Sequence, residues 1–241
     1  MMDVGTYATT IQARAMRDRE SIEEAYDTYP ESMLFWGFVD LQGSSNFRLA
    51  RGAKEGYIRA ETFFSLVRGV IAPCEDLTLI KEIGDEVMLS CSSLRPLLEA
   101  VLLLDQSTWQ LSGILADDHY PFSVRAAIGF GSAKRLVATR RSGEDYVGSA
   151  IDELARIMSI KDGSPVKMSR AAHDTSEEVL AEYSTILDIG PLKPMTGGKA
   201  EQHFREIYYR DVTVDRKKLG EFRSFFAPWK RNLVDGARRH A

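Results

Sequence analysis

The sequence predicts one α+β domain, and three observations carry the prediction. They are a continuous apolar run closed by an acid at Met33–Asp40, two short apolar runs meeting at Gly84 and Asp85, and apolar residues at helical spacing between and after them. In chain order these read strand, helix, hairpin, helix, strand. That order is the split β-α-β arrangement of ferredoxin-like folds, a βαββαβ core, here with an N-terminal helix and C-terminal strand and helix elements appended.

Residues 9–26 are dense in Arg and Glu and poor in large apolar side chains, which predicts a solvated helix that Pro30 ends. The run MLFWGFVD (33–40) predicts a buried strand with Asp40 at its C-terminal end, and the polar LQGSSN after it a turn that starts a helix. From 56 to 70, Tyr57, Phe63, Phe64, Val67 and Val70 fall mostly at helical spacing. LTLIKEIG and EVMLSCS predict a hairpin with Asp85 at its tip. SLRPLLEAVLLLDQSTW predicts the next helix, SVRAAIGFG a strand, and KRLVATRR a further strand. In GSAIDELARIMSI (148–160) a helix would place Ile151, Leu154, Ala155 and Met158 on its apolar face, with Asp152 and Arg156 one turn apart on another. Beyond Gly163 the expected elements are a strand in PVKMSRA, a short helix near Ser176, a strand in YSTILDIG, the loop PLKPMTGGK and a strand in REIYYRDV. A terminal helix then runs from VDRKKLG into the basic tail of Arg238, Arg239 and His240. The chain thus divides into a helical extension (1–30), a core domain (31–212) and a C-terminal helix with basic tail (213–241).

Composition narrows the function classes. With 44% hydrophobic and 27% charged residues over 241 positions, the chain can bury a self-sufficient core. A formal charge of −4 argues against general affinity for nucleic acid or anionic lipid. The two cysteines, Cys74 and Cys91, sit among apolar neighbours and outside any Cys-x-x-Cys pattern, which speaks against a disulfide scaffold or zinc site. The N-terminus lacks an apolar signal core and the run Leu97–Leu104 is too short to span a bilayer, so a cytoplasmic protein without membrane contact is expected.

Chemistry points first to Asp40 and Asp85. If the first strand lies beside the hairpin, both carboxylates converge at one edge, next to a turn with free backbone N–H groups. Hard oxygens so placed suit Mg²⁺ or Mn²⁺ carrying a polyphosphate; the alternative reading is two turn-capping acids.

Four segments carry a resemblance. FVDLQGSS, KEIGDEVML, VRAAIGFGSA and DYVGSAIDELARI occur in the order and spacing of the catalytic domain of class III nucleotidyl cyclases, over about Met33–Ile160 and on to Tyr209. Those motif versions, together with the N-terminal helical extension, are most similar to the pyrimidine cyclases of the bacterial Pycsar antiphage system. The resemblance implies a phosphorus–oxygen lyase that converts UTP, or less favourably CTP, to the 3′,5′-cyclic nucleotide and pyrophosphate as a second messenger in antiphage defence. It makes Asp40 and Asp85, with the Leu41 carbonyl, the ligands of two divalent cations, Mn²⁺ or Mg²⁺. It has Gly43, Ser44, Ser45 and Asn46 cradle the phosphates and Arg156 stabilise the transition state. Asp152 stands where the family has a ribose-orienting Asn, and a carboxylate cannot donate the hydrogen bond an amide can. Without the resemblance, Asp152 and Arg156 read as a surface i,i+4 ion pair.

The same resemblance assigns base recognition to Lys81 and Asp145, terminal phosphates to Lys193 and Lys199, and a homodimer whose two active sites each draw on both subunits. A donor beside an acceptor complements the edge that adenine and cytosine share, whereas the family resemblance favours uracil. Tyr57, with Arg59 nearby, is the candidate for filling the volume a purine would need. An adenylate cyclase making cyclic AMP, and a degenerate module that only dimerises, are the alternatives.

Overall fold

The computed structural model describes residues 4–115, 119–136, 145–195 and 207–221. Helix α1 (Val4–Tyr26) leads into strand β1 (Glu31–Leu41), followed by helices α2 (Ser44–Arg51) and α3 (Ala53–Ile71). The hairpin is β2 (Leu77–Ile83) and β3 (Glu86–Cys91), and α4 (Leu94–Leu115), β4 (Val124–Leu136), β5 (Asp145–Val147) and α5 (Ser149–Ser159) follow. The later elements are β6 (Val166–Ser169), α6 (Arg170–Asp174), α7 (Glu177–Glu182), β7 (Leu187–Ile189), β8 (Lys193–Pro194), β9 (Tyr208–Val214) and α8 (Arg216–Glu221). The architecture is the expected α+β one.

The strands form one sheet in the order β2-β3-β1-β4-β6-β9-β7, with β5 paired to β4 and β8 to β9. Its first four strands run antiparallel in the order of the ferredoxin-like core. Only β4 and β6 pair in parallel, across the α5 crossover. Because side chains alternate along β1, Phe35, Val39 and Leu41 face α3 and α4, whereas Trp36 and Phe38 face α5. Two glycines let helices approach those faces. A Cβ on Gly37 would lie 2.8 Å from Leu97 of α4, and one on Gly129 would lie 2.9 Å from Leu154 of α5. Trp36 is fully buried and its indole N–H donates to the Gly131 carbonyl at 2.9 Å, so the large aromatic leaves no unsatisfied polar atom.

Several boundaries differ from the sequence pattern. Lys134–Leu136 is not a separate strand but the end of β4, since nothing breaks the ladder to β1 after Gly131; residues 137–141 lie outside the described part. Of YSTILDIG only Leu187–Ile189 is strand, because Tyr183 and Ile186 are buried in the turn that follows α7. PVKMSRA ends its strand at Ser169, whose hydroxyl accepts the Ala172 N–H and caps α6. Lys193 and Pro194, expected in a loop, pair with β9. On α5 the buried face is Ala150, Leu154, Ile157 and Met158, and Ala155 is exposed, since the helix packs slightly rotated from the apolar stripe drawn through Ala155. The C-terminal helix is described only to Glu221, and Leu219 packs into the main core. Among the described residues no helix is long and apolar enough to cross a membrane.

Candidate active site

The end of β1 is tied to the hairpin and to β4 by backbone bonds. The Leu41 N–H donates to the Asp85 carbonyl at 3.1 Å and the Gln42 N–H to the Ser123 carbonyl at 2.9 Å. Gly84, at φ 66, makes the left-handed turn that brings Asp85 there. Gly43, at φ 71, turns the chain sharply into α2, and the Ser44 hydroxyl donates back to the Leu41 carbonyl at 2.9 Å. No side chain caps the first turn of α2, so the N–H groups of Ser44, Ser45 and Asn46 open on the adjoining cleft.

That cleft, of about 510 Å³, is lined by Asp40, Leu41, the Gly43–Asn46 turn, Asp85, Arg125 and Lys161, with Gln42 between them. Asp40 is 9% exposed and pairs across the ladder with Glu86 on one side and Arg125 on the other. Arg125 Nε donates to Asp40 Oδ2 at 2.7 Å. Burial raises the Asp40 carboxyl above its ordinary range; Arg125 pulls it back down and the Asp85 charge adds to the rise. Burial also raises Glu86, with the neighbouring Asp40 charge adding to it. Asp40 and Asp85 thus share the cleft with Arg125 and Lys161, and Glu86 lies opposite Asp40 in the ladder. The ligand atoms the two acids and the Leu41 carbonyl offer are all hard oxygen, which fits Mg²⁺ or Mn²⁺.

The structure brings Asp40, Leu41, Gly43, Ser44, Ser45, Asn46 and Asp85 to one cleft, which the other sequence candidates among the described residues do not line. Lys81 and Asp145 meet each other: Lys81 Nζ donates to Asp145 Oδ1 at 2.5 Å, linking β2 to β5 beside the α5 face. Asp152 is exposed and Arg156 half-buried on α5, and neither lines the cleft. Lys193 Nζ donates to Asp211 Oδ2 at 2.5 Å. Lys199 lies outside the described residues. Tyr57 is 67% exposed on α3. Arg59 is only 7% exposed and spends its guanidinium on the backbone, donating to the carbonyls of Tyr120 at 3.1 Å, Pro121 at 2.8 Å and, more weakly, Gln42 at 3.4 Å. Its Cζ also lies 4.7 Å and 4.9 Å from the Phe47 and Phe122 ring centroids. This is a clamp between α3 and the loop entering β4, and Arg59 does not line the cleft.

Arg125, Glu86 and Lys161 escaped the sequence reading. Alternation along VRAAIGFG places Arg125 on the Ala127 face, but only the β1–β4 register shows that Asp40 is opposite. Glu86 directly follows Asp85, and the same register argument applies to it.

No protein-family model and no curated protein matches the chain. Solved structures do. The guanylyl cyclase Cya2 superposes with a TM-score of 0.61 at 13% identity, over 77% of this chain and 94% of that one. The adenylyl cyclase CyaB from P. aeruginosa gives 0.59 at 14% identity, over 78% and 97% of the two chains. An adenylate/guanylate cyclase/hydrolase from Silicibacter pomeroyi gives 0.56 at 18% identity, over 77% and 98%. The chain thus has the fold of these guanylyl and adenylyl cyclase structures.

Proposed function

We propose that this protein is a divalent-metal-dependent nucleotidyl cyclase that closes a nucleoside triphosphate to its 3′,5′-cyclic monophosphate and releases pyrophosphate. The observation carrying the proposal is the cleft itself, where two acids on adjoining strand ends face a helix start with open N–H groups and two cationic side chains. In the reaction the substrate's 3′-hydroxyl gives up its proton to water, its oxygen bonds to the α-phosphorus, the α-phosphorus–oxygen bond to the β-phosphate breaks, and the departing pyrophosphate keeps that electron pair. Asp40, Asp85 and the Leu41 carbonyl would hold the two cations, Mn²⁺ or Mg²⁺, which supply Lewis-acid charge to the attacking hydroxyl and to the phosphates. The Gly43–Asn46 amides bind phosphate oxygens, and Arg125 and Lys161 meet the charge that develops on the leaving group. No protein nucleophile is needed.

Arg156 lies off the cleft of its own protomer, which supports a homodimer in which the partner's α5 brings Arg156 and Asp152 to the ribose and α-phosphate, and the partner's Lys81–Asp145 pair reaches the base. Lys193 and Lys199 are proposed for the terminal phosphates. For the substrate we propose a pyrimidine, UTP ahead of CTP, with Tyr57 limiting the room for a purine, and for the biology a second messenger of antiphage defence. Both rest on the motif versions FVDLQGSS and IKEIGDEVML. The Lys81–Asp145 pair admits a second reading, an adenylate cyclase, since its donor and acceptor complement the edge that adenine shares with cytosine. Incubation of purified protein with ATP, GTP, CTP and UTP separately in Mn²⁺, with mass identification of products, tests both. Cyclic UMP or cyclic CMP is expected; cyclic AMP alone would establish the second reading, and no product from any of the four would overturn the cyclase.

A further inference from the structure

A second cavity, of about 300 Å³, abuts the cleft and shares Gln42, Arg125 and Lys161 with it. Its other walls bring in Lys167 of β6 and Arg216 of α8, so four cationic side chains line it; among the described residues no carboxylate does. These cations are held in place. Lys167 is 4% exposed and its Nζ donates to the Ser164 carbonyl at 2.6 Å. Arg216 forks onto buried Asp105 at 2.7 and 2.8 Å. Gly163, at φ +84, brings the 160–165 loop against Asp211, where a Cβ would lie 2.6 Å from the carboxylate. The Ser164 N–H donates to that same carboxylate at 3.1 Å.

Positive charge here exceeds what the neighbours neutralise. Asp211 is shared between Lys193, at 2.5 Å, and Lys167, at 3.8 Å. Lys161 has no carboxylate within ion-pair distance among the described residues. Burial lowers the Lys167 ammonium pKa, with Asp211 opposing it, and a bound anion would offset that burial cost further.

We infer that this basic cavity binds inorganic pyrophosphate, receiving the leaving group from the acidic cleft across the Arg125–Lys161 wall. The inference rests on the proposed cyclase reaction, which generates that anion. Asp40 and Asp85 repel pyrophosphate once it is detached, while Lys167 and Arg216 attract it, so transfer runs down the local electrostatic gradient. Four cationic side chains suit two linked phosphoryl groups better than one.

Calorimetric titration with inorganic pyrophosphate in excess EDTA tests the site without metal or turnover. Saturable binding is expected, weakened about tenfold or more by Lys161→Ala and by Lys167→Met, and not weakened by Asp85→Ala, which removes a repelling charge. Orthophosphate should bind at least about tenfold more weakly. Lys161 is exposed, so its variant stays informative even if the Lys167 variant misfolds. Cyclic product without pyrophosphate binding in EDTA overturns the cavity assignment and leaves the cyclase standing. Binding that Lys161→Ala does not alter, or orthophosphate binding as tight as pyrophosphate, also overturns it. Pyrophosphate binding by a chain that forms no cyclic product supports the cavity and removes the cyclase.

Discussion

Replacing Arg59 by Met separates a structural clamp from a nucleotide contact. The change removes two well-formed charged hydrogen bonds, to Tyr120 and Pro121, and the contacts with Phe47 and Phe122. Charged hydrogen bonds contribute about 1.5–3 kcal/mol each and cation–π contacts about 0.5–1 kcal/mol each, and Met regains part of the packing, so a net loss of about 3–5 kcal/mol is expected. For a domain stable by about 5–15 kcal/mol and losing roughly 2–4 °C per kcal/mol, Tm should fall by about 10 °C. Arg59→Lys keeps the charge but loses the fork, and should fall between. Thermal melts followed by circular dichroism give Tm, and steady-state kinetics with UTP and ATP at a temperature where both variants are folded give the rest. The ATP to UTP ratio of kcat/KM should not move. An unchanged Tm with KM raised about tenfold or more would refute the clamp and put the guanidinium on the nucleotide.

Asp85→Ala and Asp40→Asn should each abolish cyclisation and leave Tm within a few degrees, because the acids serve charge and not packing; residual activity above about one per cent in either would remove the metal-ligand assignment. Mixing inactive Asp85→Ala with inactive Arg156→Ala should restore activity, since one site of the heterodimer carries neither defect; demonstrated subunit exchange without recovery contradicts sites built from both subunits. Tyr57 is solvent-exposed, so the steric role proposed for it acts through the proposed dimer. Tyr57→Ala should then raise ATP relative to UTP turnover, whereas a shift caused only by Lys81→Glu would assign base choice to the Lys81–Asp145 pair. Glu99 is buried, and burial raises its carboxyl pKa against the opposing Tyr183 O–H donor at 2.8 Å and the Arg95 charge, with Glu182 adding slightly to the rise. The folded state therefore holds the Glu99 proton more tightly than the unfolded chain. Wild-type stability from this group is present below the unfolded carboxyl pKa of about 4.3 and is lost as pH rises toward the folded value. Glu99→Gln keeps the acceptor for Tyr183, so its Tm should match wild type near about pH 4 and exceed it near about pH 7.5; the opposite trend on melting across that range counts against burial as the cause.

Sequence pattern alone determined the βαββαβ order and the positions of Asp40 and Asp85 at a strand end and a hairpin tip. Alternation and helical period are local properties, and Gly84 marks its turn without any distant partner. Tertiary structure alone decided what those acids face. Asp40 meets Arg125 across 85 residues of chain through strand register, and one residue of slip would put Arg125 on the opposite face of the sheet. Lys81 and Asp145 pair across 64 residues because β5 folds back along β4, and no motif encodes that contact distance. Arg59 shows the same limit from the other side. On a helical wheel it reads as one more polar residue near Tyr57, and the loop at Tyr120–Pro121 makes it a buried clamp by turning two backbone carbonyls toward it. A guanidinium goes where acceptors are, and those acceptors are set by a chain segment 61 and 62 residues away.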